Sequence, residues 1–265
     1  MKILITGAHG FVGNRLMQDL DDTVAAPSMR GMNEEQIRNM IEKSRADVII
    51  HTAAISDVGT CEKDPGASYE ANVRLPLFLA KAAKEQKLIC FSSDQVYRGC
   101  AGEGPYKEED ASPCNVYGRH KLEMEQKVLD VKPDAVMLRA EWMDDYPTKR
   151  SNYLRMLLNE KQVLTFGKQY RGITYLREVA ENMPKIFMLP GGVYNFGSET
   201  KQTMYDITCE MLHFLKSDRK PEEVPPAHNL WMDCTKAKER GILFSDAKEG
   251  LKRCLKDYHL AKDRE

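Results

Sequence analysis

Three glycines at intervals of three, Gly7, Gly10 and Gly13, follow a short apolar run near the start of the chain. Residues 14–20, after the glycines, have the apolar spacing of a helix. A strand, a glycine turn and a helix in this order can hold a dinucleotide pyrophosphate, because glycine permits a close backbone approach and the helix N-terminus presents free N–H groups. The spacing differs from the common G-x-G-x-x-G fingerprint, and three glycines can also mark an ordinary turn. Their place between a strand and a helix favours a cofactor loop.

Alternating apolar and amphipathic segments extend from this loop through residue 142. Further strands are predicted at residues 23–26, 47–51, 88–91 and 135–139, with helices at 33–43, 69–84 and 117–128. This order predicts an α/β fold with a Rossmann-like, doubly wound parallel sheet. We expect residues 1–142 to form an NAD(P)-binding Rossmann domain that a strand near 192–197 completes. Residues 143–265 are expected to form mainly a smaller, discontinuous C-terminal substrate-binding region.

Composition excludes several classes of function. The 39 basic and 40 acidic residues nearly cancel, so no basic excess favours nucleic acid as a partner. No apolar stretch approaches the ~18 residues of a membrane helix, and we expect a cytoplasmic protein that does not bind a membrane. The seven cysteines are odd in number and form no C-x-x-C pair, which favours reduced thiols over a disulfide or metal site.

A tyrosine and a lysine four residues apart, Tyr117 and Lys121, lie on one face of a predicted helix. An ammonium group beside a phenol lowers the pKa of the phenol, so that Tyr117 could act as a general acid or base. If Tyr117 acts on the carbonyl oxygen of a substrate, the hydroxyl group of Ser93, at the end of a predicted strand, could bind that same oxygen. Tyr258 and Lys262 have the same spacing, so the spacing alone is weak evidence. The order of the glycine loop and two strand ends before Tyr117 favours the first pair.

The end of the second predicted strand bears on cofactor choice. An acidic residue there would accept a hydrogen bond from the ribose of NAD, whereas arginine suits the 2′-phosphate of NADP. The chain has Ser28 and Arg30 and no acid at this point, which favours NADP(H) and leaves NAD(H) possible. Arg30 could also be an ordinary solvated charge. His51, at the end of the third predicted strand, is interpreted as a buried core histidine rather than a base.

Taken together, these segments resemble the extended short-chain dehydrogenases/reductases. The chain is most similar to the dTDP-4-dehydrorhamnose reductase (RmlD-like, sugar-nucleotide-binding) family. The resemblance rests on residues 5–13, 47–54, 92–97, 115–121 and 138–142, and it extends weakly to residues 192–198 and 232–236.

The resemblance implies a reductase that transfers hydride from NADPH or NADH to the C4 ketone of a nucleotide sugar. Tyr117 would protonate the developing alkoxide, Lys121 would hold the nicotinamide ribose and Ser93 would bind the carbonyl oxygen. Other residues would surround the cofactor: Gly7, His9, Gly10, Phe11, Val12, Gly13, Ser28, Arg30, Ala53, Ala54, Ile55, Asn72, Ser92 and Arg139.

Other activities within this resemblance differ in their requirements. Gln95 stands where the related 4,6-dehydratases have a glutamate, and an amide cannot remove a proton, so a dehydratase is excluded. An epimerase, which uses the same tyrosine and lysine, stays open, and so does an NADP-binding regulatory subunit.

The substrate half departs from the family pattern. An arginine usual in the substrate region is missing, so the nucleotide diphosphate needs other cations. Candidates are Lys149, Arg150, Arg155 and Arg171. Asn14 and Arg15 replace the acidic metal-contact residues of the first helix, which removes support for a metal-assisted dimer and leaves a plain homodimer possible. No metal is expected.

Overall fold

The computed structural model describes residues 1–146 and 153–261. Its strands are β1 (Ile3–Thr6), β2 (Thr23–Ala25), β3 (Val48–His51), β4 (Lys87–Ser93), β5 (Val136–Ala140), β6 (Trp142–Asp144), β7 (Thr165–Phe166), β8 (Ile173–Tyr175), β9 (Gly192–Phe196) and β10 (Glu222–Glu223). Its α-helices are α1 (Phe11–Asp19), α2 (Glu34–Ser44), α3 (Val58–Lys63), α4 (Pro65–Tyr69), α5 (Leu75–Ala82), α6 (Val116–Val131), α7 (Tyr153–Leu158), α8 (Leu176–Ile186), α9 (Met204–Phe214), α10 (Thr235–Lys238) and α11 (Ala247–Asp257). No described helix has both the length and the apolarity to cross a membrane.

Six parallel strands form the main sheet, in the order β2-β1-β3-β4-β5-β9. The predicted doubly wound α/β fold is confirmed, and so is the strand near 192–197, which pairs with β5. The chain leaves β1 toward β2 on one side and returns to β3 on the other. The order therefore reverses between β1 and β3, and at such a switch point the carboxyl ends of parallel strands leave a crevice for ligands.

Alternate side chains of each strand point to opposite faces of this sheet. Ile3 and Ile5 pack with α1 and α8 on one face, whereas Leu4 packs with α2 and α5 on the other. Strands β3, β4 and β5 repeat the same division. Because both faces are covered, these strands are continuous apolar runs in the sequence, which is why their positions could be predicted.

A separate hydrophobic core lies in the C-terminal half. It is built from α7, β7, β8, α9 and α11, with Tyr153, Ile207 and Leu251 among its fully buried side chains. Helix α8, Ala237 of α10 and the nearby Ile242 instead pack on the main sheet, although they follow residue 142. The C-terminal half is thus divided between the two cores.

Several elements differ from the prediction. The helix predicted at residues 69–84 begins earlier, at Pro65, and contains a π-helical turn at Glu70–Arg74, just before Pro76 in α5. Proline has no N–H for the regular ladder, which accounts for a local change of winding. Strands β6 and β8, which pair with each other, and helix α3 were not predicted, because they are only three to six residues long. Residues 151–160 also have a helical pattern in the sequence; α7 covers Tyr153–Leu158 of this stretch, and residues 151 and 152 lie outside the described residues.

Candidate active site

The glycine turn joins β1 to α1 at the switch point of the sheet. Gly7 has a φ of +74°, and a Cβ there would lie 2.8 Å from the backbone nitrogen of Ala53. A Cβ on Gly13 would lie 2.3 Å from the carbonyl oxygen of Gly7. Side chains are therefore excluded at both positions. Helix α1 has no side-chain cap and no acidic residue in its first turn, so its N-terminus is suited to an anion.

A cavity of about 780 Å³, the outer cavity, lies on one side of this turn. Its lining includes eight of the predicted cofactor residues: Gly7, His9, Gly10, Ser28, Arg30, Ala53, Ala54 and Ile55. Arg74, which was not predicted, also lines it and forms an ion pair with Glu70 at 2.9 Å.

A second cavity of about 660 Å³, the inner cavity, lies on the other side of the turn. It shares Gly7, Gly10, Ala53 and Ala54 with the outer cavity, so the two form a continuous cleft along the carboxyl edge of the sheet. Predicted site residues that line only the inner cavity are Phe11, Val12, Ser92, Ser93, Tyr117 and Lys121. The cleft has room for an extended dinucleotide across the glycine turn, with the cradle that such a cofactor needs.

Ser93, Tyr117 and Lys121 come together in the inner cavity although they belong to two different elements. Ser93 is the last residue of β4, and Tyr117 and Lys121 are on the first turns of α6. Asn115 caps α6 by accepting a hydrogen bond from the Gly118 nitrogen at 2.7 Å, and it also donates to Gln95 Oε1 at 3.0 Å. The cap thereby joins the start of α6 to the turn that follows Ser93.

Gly118 allows this close approach. A Cβ on Gly118 would lie 2.4 Å from the carbonyl oxygen of Gln95. Any larger residue would push α6, and with it Tyr117, away from the end of β4. The backbone of Gln95 thus contacts the start of α6, in addition to the hydrogen bond between its side chain and Asn115. The side-chain amide of Gln95 offers no titratable group to the cavity.

Lys121 is fully buried, and its Nζ donates to the carbonyl oxygen of Phe91 at 2.7 Å. The ammonium group lies 5.8 Å from the centre of the Tyr117 ring. Burial disfavours the charged form and lowers the pKa of Lys121 to about 8. The lysine therefore changes charge around pH 8, below the range in which an exposed lysine does so.

Ser93 is already bonded on both sides. Its hydroxyl group donates to Asp94 Oδ1 at 3.1 Å and accepts from the Gln95 nitrogen at 3.2 Å. Asp94 is itself held by Arg171, whose Nε and Nη2 both donate to Oδ2, at 3.1 and 2.9 Å. To donate to a substrate oxygen, the Ser93 hydroxyl group must rotate so that its proton no longer points to Asp94.

Three of the predicted cofactor residues have their polar groups turned to other partners. The guanidinium group of Arg139 is buried, pairs with Glu125 at 2.7 Å and donates to the Tyr97 hydroxyl at 2.7 Å. The hydroxyl group of Ser92 also donates to Glu125. Arg139 lines neither cavity, whereas the residues that follow it, from Ala140 to Met143, line the inner one. We therefore regard Arg139 as a structural residue.

The third of these residues, Asn72, is fully buried and lines neither cavity. Its Nδ2 donates to the carbonyl oxygen of Ile55 at 3.0 Å and to Ser68 at 3.2 Å. Asn72 thus fixes the loop after β3, which carries Ala53 and Ala54 along the cleft. Gly13, in turn, contacts the glycine turn itself rather than either cavity.

Two ambiguous residues of the sequence can be placed. His51 is buried, its Nδ1 lies 2.7 Å from the Thr6 hydroxyl, and burial lowers its pKa to about 3, so it is a neutral core histidine. Tyr258 lines neither cavity and lies in an ion-pair cluster, where its hydroxyl accepts from Arg15 at 2.9 Å and Arg15 also pairs with Asp145 at 3.0 Å. Lys262 lies outside the described residues.

Several residues of the inner cavity were not predicted as site residues. Asp94 and Glu141 follow directly on the ends of β4 and β5, and Trp142 begins β6 one residue later. This position near a strand end was the available sequence signal. Of the four candidate cations, Arg171 lines the inner cavity, with its guanidinium 5.2 Å from the centre of the Trp142 ring. Arg155 is exposed on α7 and lines neither cavity, and Lys149 and Arg150 lie outside the described residues. Among the described residues, no group of His, Cys, Asp and Glu is arranged to hold a metal ion.

The parallel sheet, its strand order and the glycine turn define a Rossmann-type α/β protein with a cleft along the carboxyl edge of the sheet. The chain belongs to the RmlD substrate binding domain family, whose model matches residues 1–260.

Among the individual relatives, some are named as reductases and others as a subunit of a different enzyme. The dTDP-4-dehydrorhamnose reductase of Aggregatibacter actinomycetemcomitans is 28% identical over 243 residues, which cover 84% of this chain and 82% of the relative. Methionine adenosyltransferase 2 subunit beta of Danio rerio is 28% identical over 234 residues, which cover 78% of this chain and 72% of the relative.

Among solved structures, dTDP-4-dehydrorhamnose reductase from Bacillus anthracis in complex with NADP superposes with a TM-score of 0.86. It is 22% identical in sequence, and the match covers 97% of this chain and 99% of that one. This similarity shows that the whole fold is shared.

Proposed function

We propose that the protein is an NAD(P)H-dependent reductase of a nucleotide-sugar 4-ketone, with dTDP-4-dehydrorhamnose as the first substrate to test. One observation carries the proposal: Ser93, Tyr117 and Lys121 line one cavity that continues past the glycine turn into a second. The relative from Aggregatibacter, which matches over most of both chains, is named for this reaction.

When bound, a nicotinamide cofactor supplies the hydride. Ser93 binds the substrate carbonyl oxygen, and Tyr117 gives its phenolic proton to the oxygen as negative charge develops there. Lys121, while protonated, stabilises the phenolate that Tyr117 leaves behind, and its buried ammonium is within the same cavity to bond a ribose hydroxyl.

NADP(H) is the preferred cofactor in this proposal, with NAD(H) possible. The outer cavity presents Ser28 and Arg30 beside the end of β2, and Arg74 adds a second guanidinium group. Arg74 is partly neutralised by Glu70, so Arg30 is the stronger candidate for a 2′-phosphate. The glycine turn and the N-terminus of α1 hold the pyrophosphate.

The substrate diphosphate requires positive charge near the inner cavity. Arg171 lines this cavity and is partly exposed, so it is the candidate that the described residues favour. We propose that the second core, which carries Arg171 on the segment before β8, provides most of the substrate-binding surface. A homodimer, a cytoplasmic location and the absence of nucleic-acid binding stay predictions.

The test is NADPH oxidation by the purified protein with dTDP-4-dehydrorhamnose, with NADH in parallel. Tyr117→Phe keeps the ring but has no proton to give, so we expect kcat to fall about 100-fold or more with little change in NADPH binding. A protein that binds no nicotinamide nucleotide would contradict the proposal. An epimerase would instead interconvert sugars without net NADPH oxidation.

A second candidate function is a cofactor-binding regulatory subunit. It is favoured by the match to methionine adenosyltransferase 2 subunit beta, at an identity similar to that of the reductase. The Tyr117→Phe variant separates the two, because a regulatory subunit would keep NADPH binding and partner regulation unchanged. NADPH binding without turnover in the wild-type protein would favour this second function.

A further inference from the structure

Glu141 is a buried acid in the inner cavity that the proposed reaction does not use. It follows the last residue of β5, Ala140, whose Cα pairs with that of Ser93 in the sheet. The carboxyl group is therefore presented at the same edge as the proposed carbonyl-binding hydroxyl. Glu141 lines the inner cavity together with Tyr117.

Two glycines leave room for the Glu141 carboxyl group. A Cβ on Gly172 would lie 1.8 Å from Oε2, and a Cβ on Gly197 would lie 2.5 Å from Cδ. These glycines come from two separate segments, one before β8 and one after β9. A side chain on either would expel the carboxyl group, so the surroundings are built around this acid.

The two carboxyl oxygens of Glu141 differ in their contacts. Oε1 accepts from the Thr174 hydroxyl at 2.6 Å and from the Ser198 nitrogen at 2.7 Å. Oε2 has no hydrogen-bond partner among residues 1–146 and 153–261. One oxygen is thus fixed by the protein, and the other remains available to a molecule in the cavity.

No cation neutralises Glu141 within the described parts of the chain. Arg171 is nearby, but its ion pair is with Asp94 at 2.9 Å. Charged or titratable neighbours on the surrounding elements are Asp94, Arg171 and Cys234. Burial, with the charge of Asp94 adding to it, raises the pKa of Glu141 to about 8. At neutral pH the carboxyl group is therefore mainly protonated and has a proton to donate.

We propose that Glu141 is a specificity-determining residue whose free Oε2 contacts the substrate. It would form a hydrogen bond with a sugar hydroxyl group on a carbon adjacent to the reacting carbonyl carbon. The inference rests on the proposed reductase function and adds a substrate contact to it. A protonated carboxyl group can both donate to and accept from such a hydroxyl group, which an aliphatic side chain cannot do.

The test is binding of the reaction product, dTDP-rhamnose, to the NADPH-loaded protein, measured by titration calorimetry. This pair cannot react, so binding is read without turnover. Glu141→Leu should raise the Kd about 3- to 10-fold, the range expected for one lost hydrogen bond. Glu141→Gln keeps a donor and an acceptor and should stay within about twofold of wild type.

Glu178 offers a matched control. It is a buried glutamate on α8 that lines none of the cavities described above and accepts from the Ser245 nitrogen at 2.9 Å. Glu178→Gln and Glu178→Leu carry the same chemical changes, so they report the effect of altering a buried acid alone. They should leave the Kd for dTDP-rhamnose unchanged.

A second readout covers the case in which Glu141→Leu fails to fold. A sugar oxygen that accepts the Glu141 proton favours the protonated form, so binding near pH 8 should take up protons in the wild type and not in Glu141→Gln. Titrations in buffers of different ionisation enthalpy measure this uptake.

The outcomes separate the two proposals. Wild-type protein that binds NADPH but no dTDP-rhamnose would overturn the proposed substrate, and this inference with it. Wild-type binding with equal proton uptake in Glu141→Gln, or an unchanged Kd in a folded Glu141→Leu protein, would overturn the role of Glu141 alone.

Discussion

At the scale of single residues, burial gives Lys121 a property that its sequence context does not reveal. The pKa of Lys121 is lowered to about 8 because burial disfavours the ammonium form. Since the proposed mechanism needs this charge beside Tyr117, we expect kcat to fall as the pH rises above about 8, toward tenfold per pH unit. The pH profile of NADPH oxidation under saturating substrate measures this limb.

Lys121→Arg provides the comparison for this limb. A guanidinium group stays charged throughout this range, so the fall near pH 8 should disappear even though the altered geometry lowers kcat. If the variant keeps the same limb, the titrating group is another residue. Thermal unfolding at each pH excludes loss of folded protein as the cause.

Gly7 is a second residue whose role depends on its surroundings. Gly7→Ala places a Cβ at positive φ and within 3 Å of the Ala53 backbone. The positive φ alone should lower the free energy of unfolding by about 1 kcal/mol. Because the turn must also shift, the Kd for NADPH should rise about tenfold or more. Gly102→Ala is the control, since Gly102 has a similar φ of +83° with nothing within 4 Å of a Cβ. Equal NADPH affinity in the two variants would contradict a cofactor loop at Gly7.

At the scale of elements, the position of Tyr117 depends on how α6 begins. Asn115 caps α6 and joins it to Gln95 in the turn after β4. Asn115→Ala should cost about 1 kcal/mol of unfolding free energy, as loss of an N-cap does. It should also lower kcat, because Tyr117 loses its fixed distance from Ser93.

The cap of α9 gives a control for this prediction. Thr203 accepts from the Asp206 nitrogen at 3.2 Å and lines neither cavity of the cleft. Thr203→Ala should lower stability by a comparable amount, seen in urea unfolding, without an effect on kcat. Equal losses of kcat in both variants would mean that general destabilisation, rather than the placement of α6, explains the result.

At the scale of the whole molecule, one buried network joins the sheet to the segments around it. Arg139 on β5 pairs with Glu125 on α6 and donates to the Tyr97 hydroxyl, which in turn donates to Asn195 on β9 at 2.6 Å. The side-chain nitrogen of Asn195 in turn donates to the carbonyl oxygen of Asp233 at 3.0 Å. The network thus links residues more than 100 positions apart in the chain.

Removing only one charge of the Arg139–Glu125 ion pair should lower the free energy of unfolding. Arg139→Met leaves the buried Glu125 carboxylate without its ion pair, and we expect a loss of about 3 kcal/mol or more. The double variant Arg139→Met/Glu125→Leu removes both charges and should recover part of that loss in urea unfolding. NADPH affinity should change little in the protein that stays folded. A large rise in Kd with normal stability would instead support the cofactor contact that the resemblance implied for Arg139.

The sequence was informative where a local pattern has one structural meaning. Apolar runs such as Val48–His51 gave the strands of the main sheet, and Gly7 and Gly13 fall where the turn excludes side chains. Polar residues at strand ends were ambiguous. Ser93 and Ser92 are neighbours on one strand, yet only the hydroxyl group of Ser92 turns toward Glu125.

The sequence by itself determined the parallel sheet, the glycine turn and the helix face that carries Tyr117 and Lys121, because period and spacing act over a few residues. Tertiary structure alone decided that Arg139 is paired with Glu125, that Arg171 reaches Asp94, and that Glu141 lies between two glycines from distant segments. The partner of a buried charge is set by which segments the fold brings together. That juxtaposition depends on the packing of the whole chain, and no local pattern encodes it.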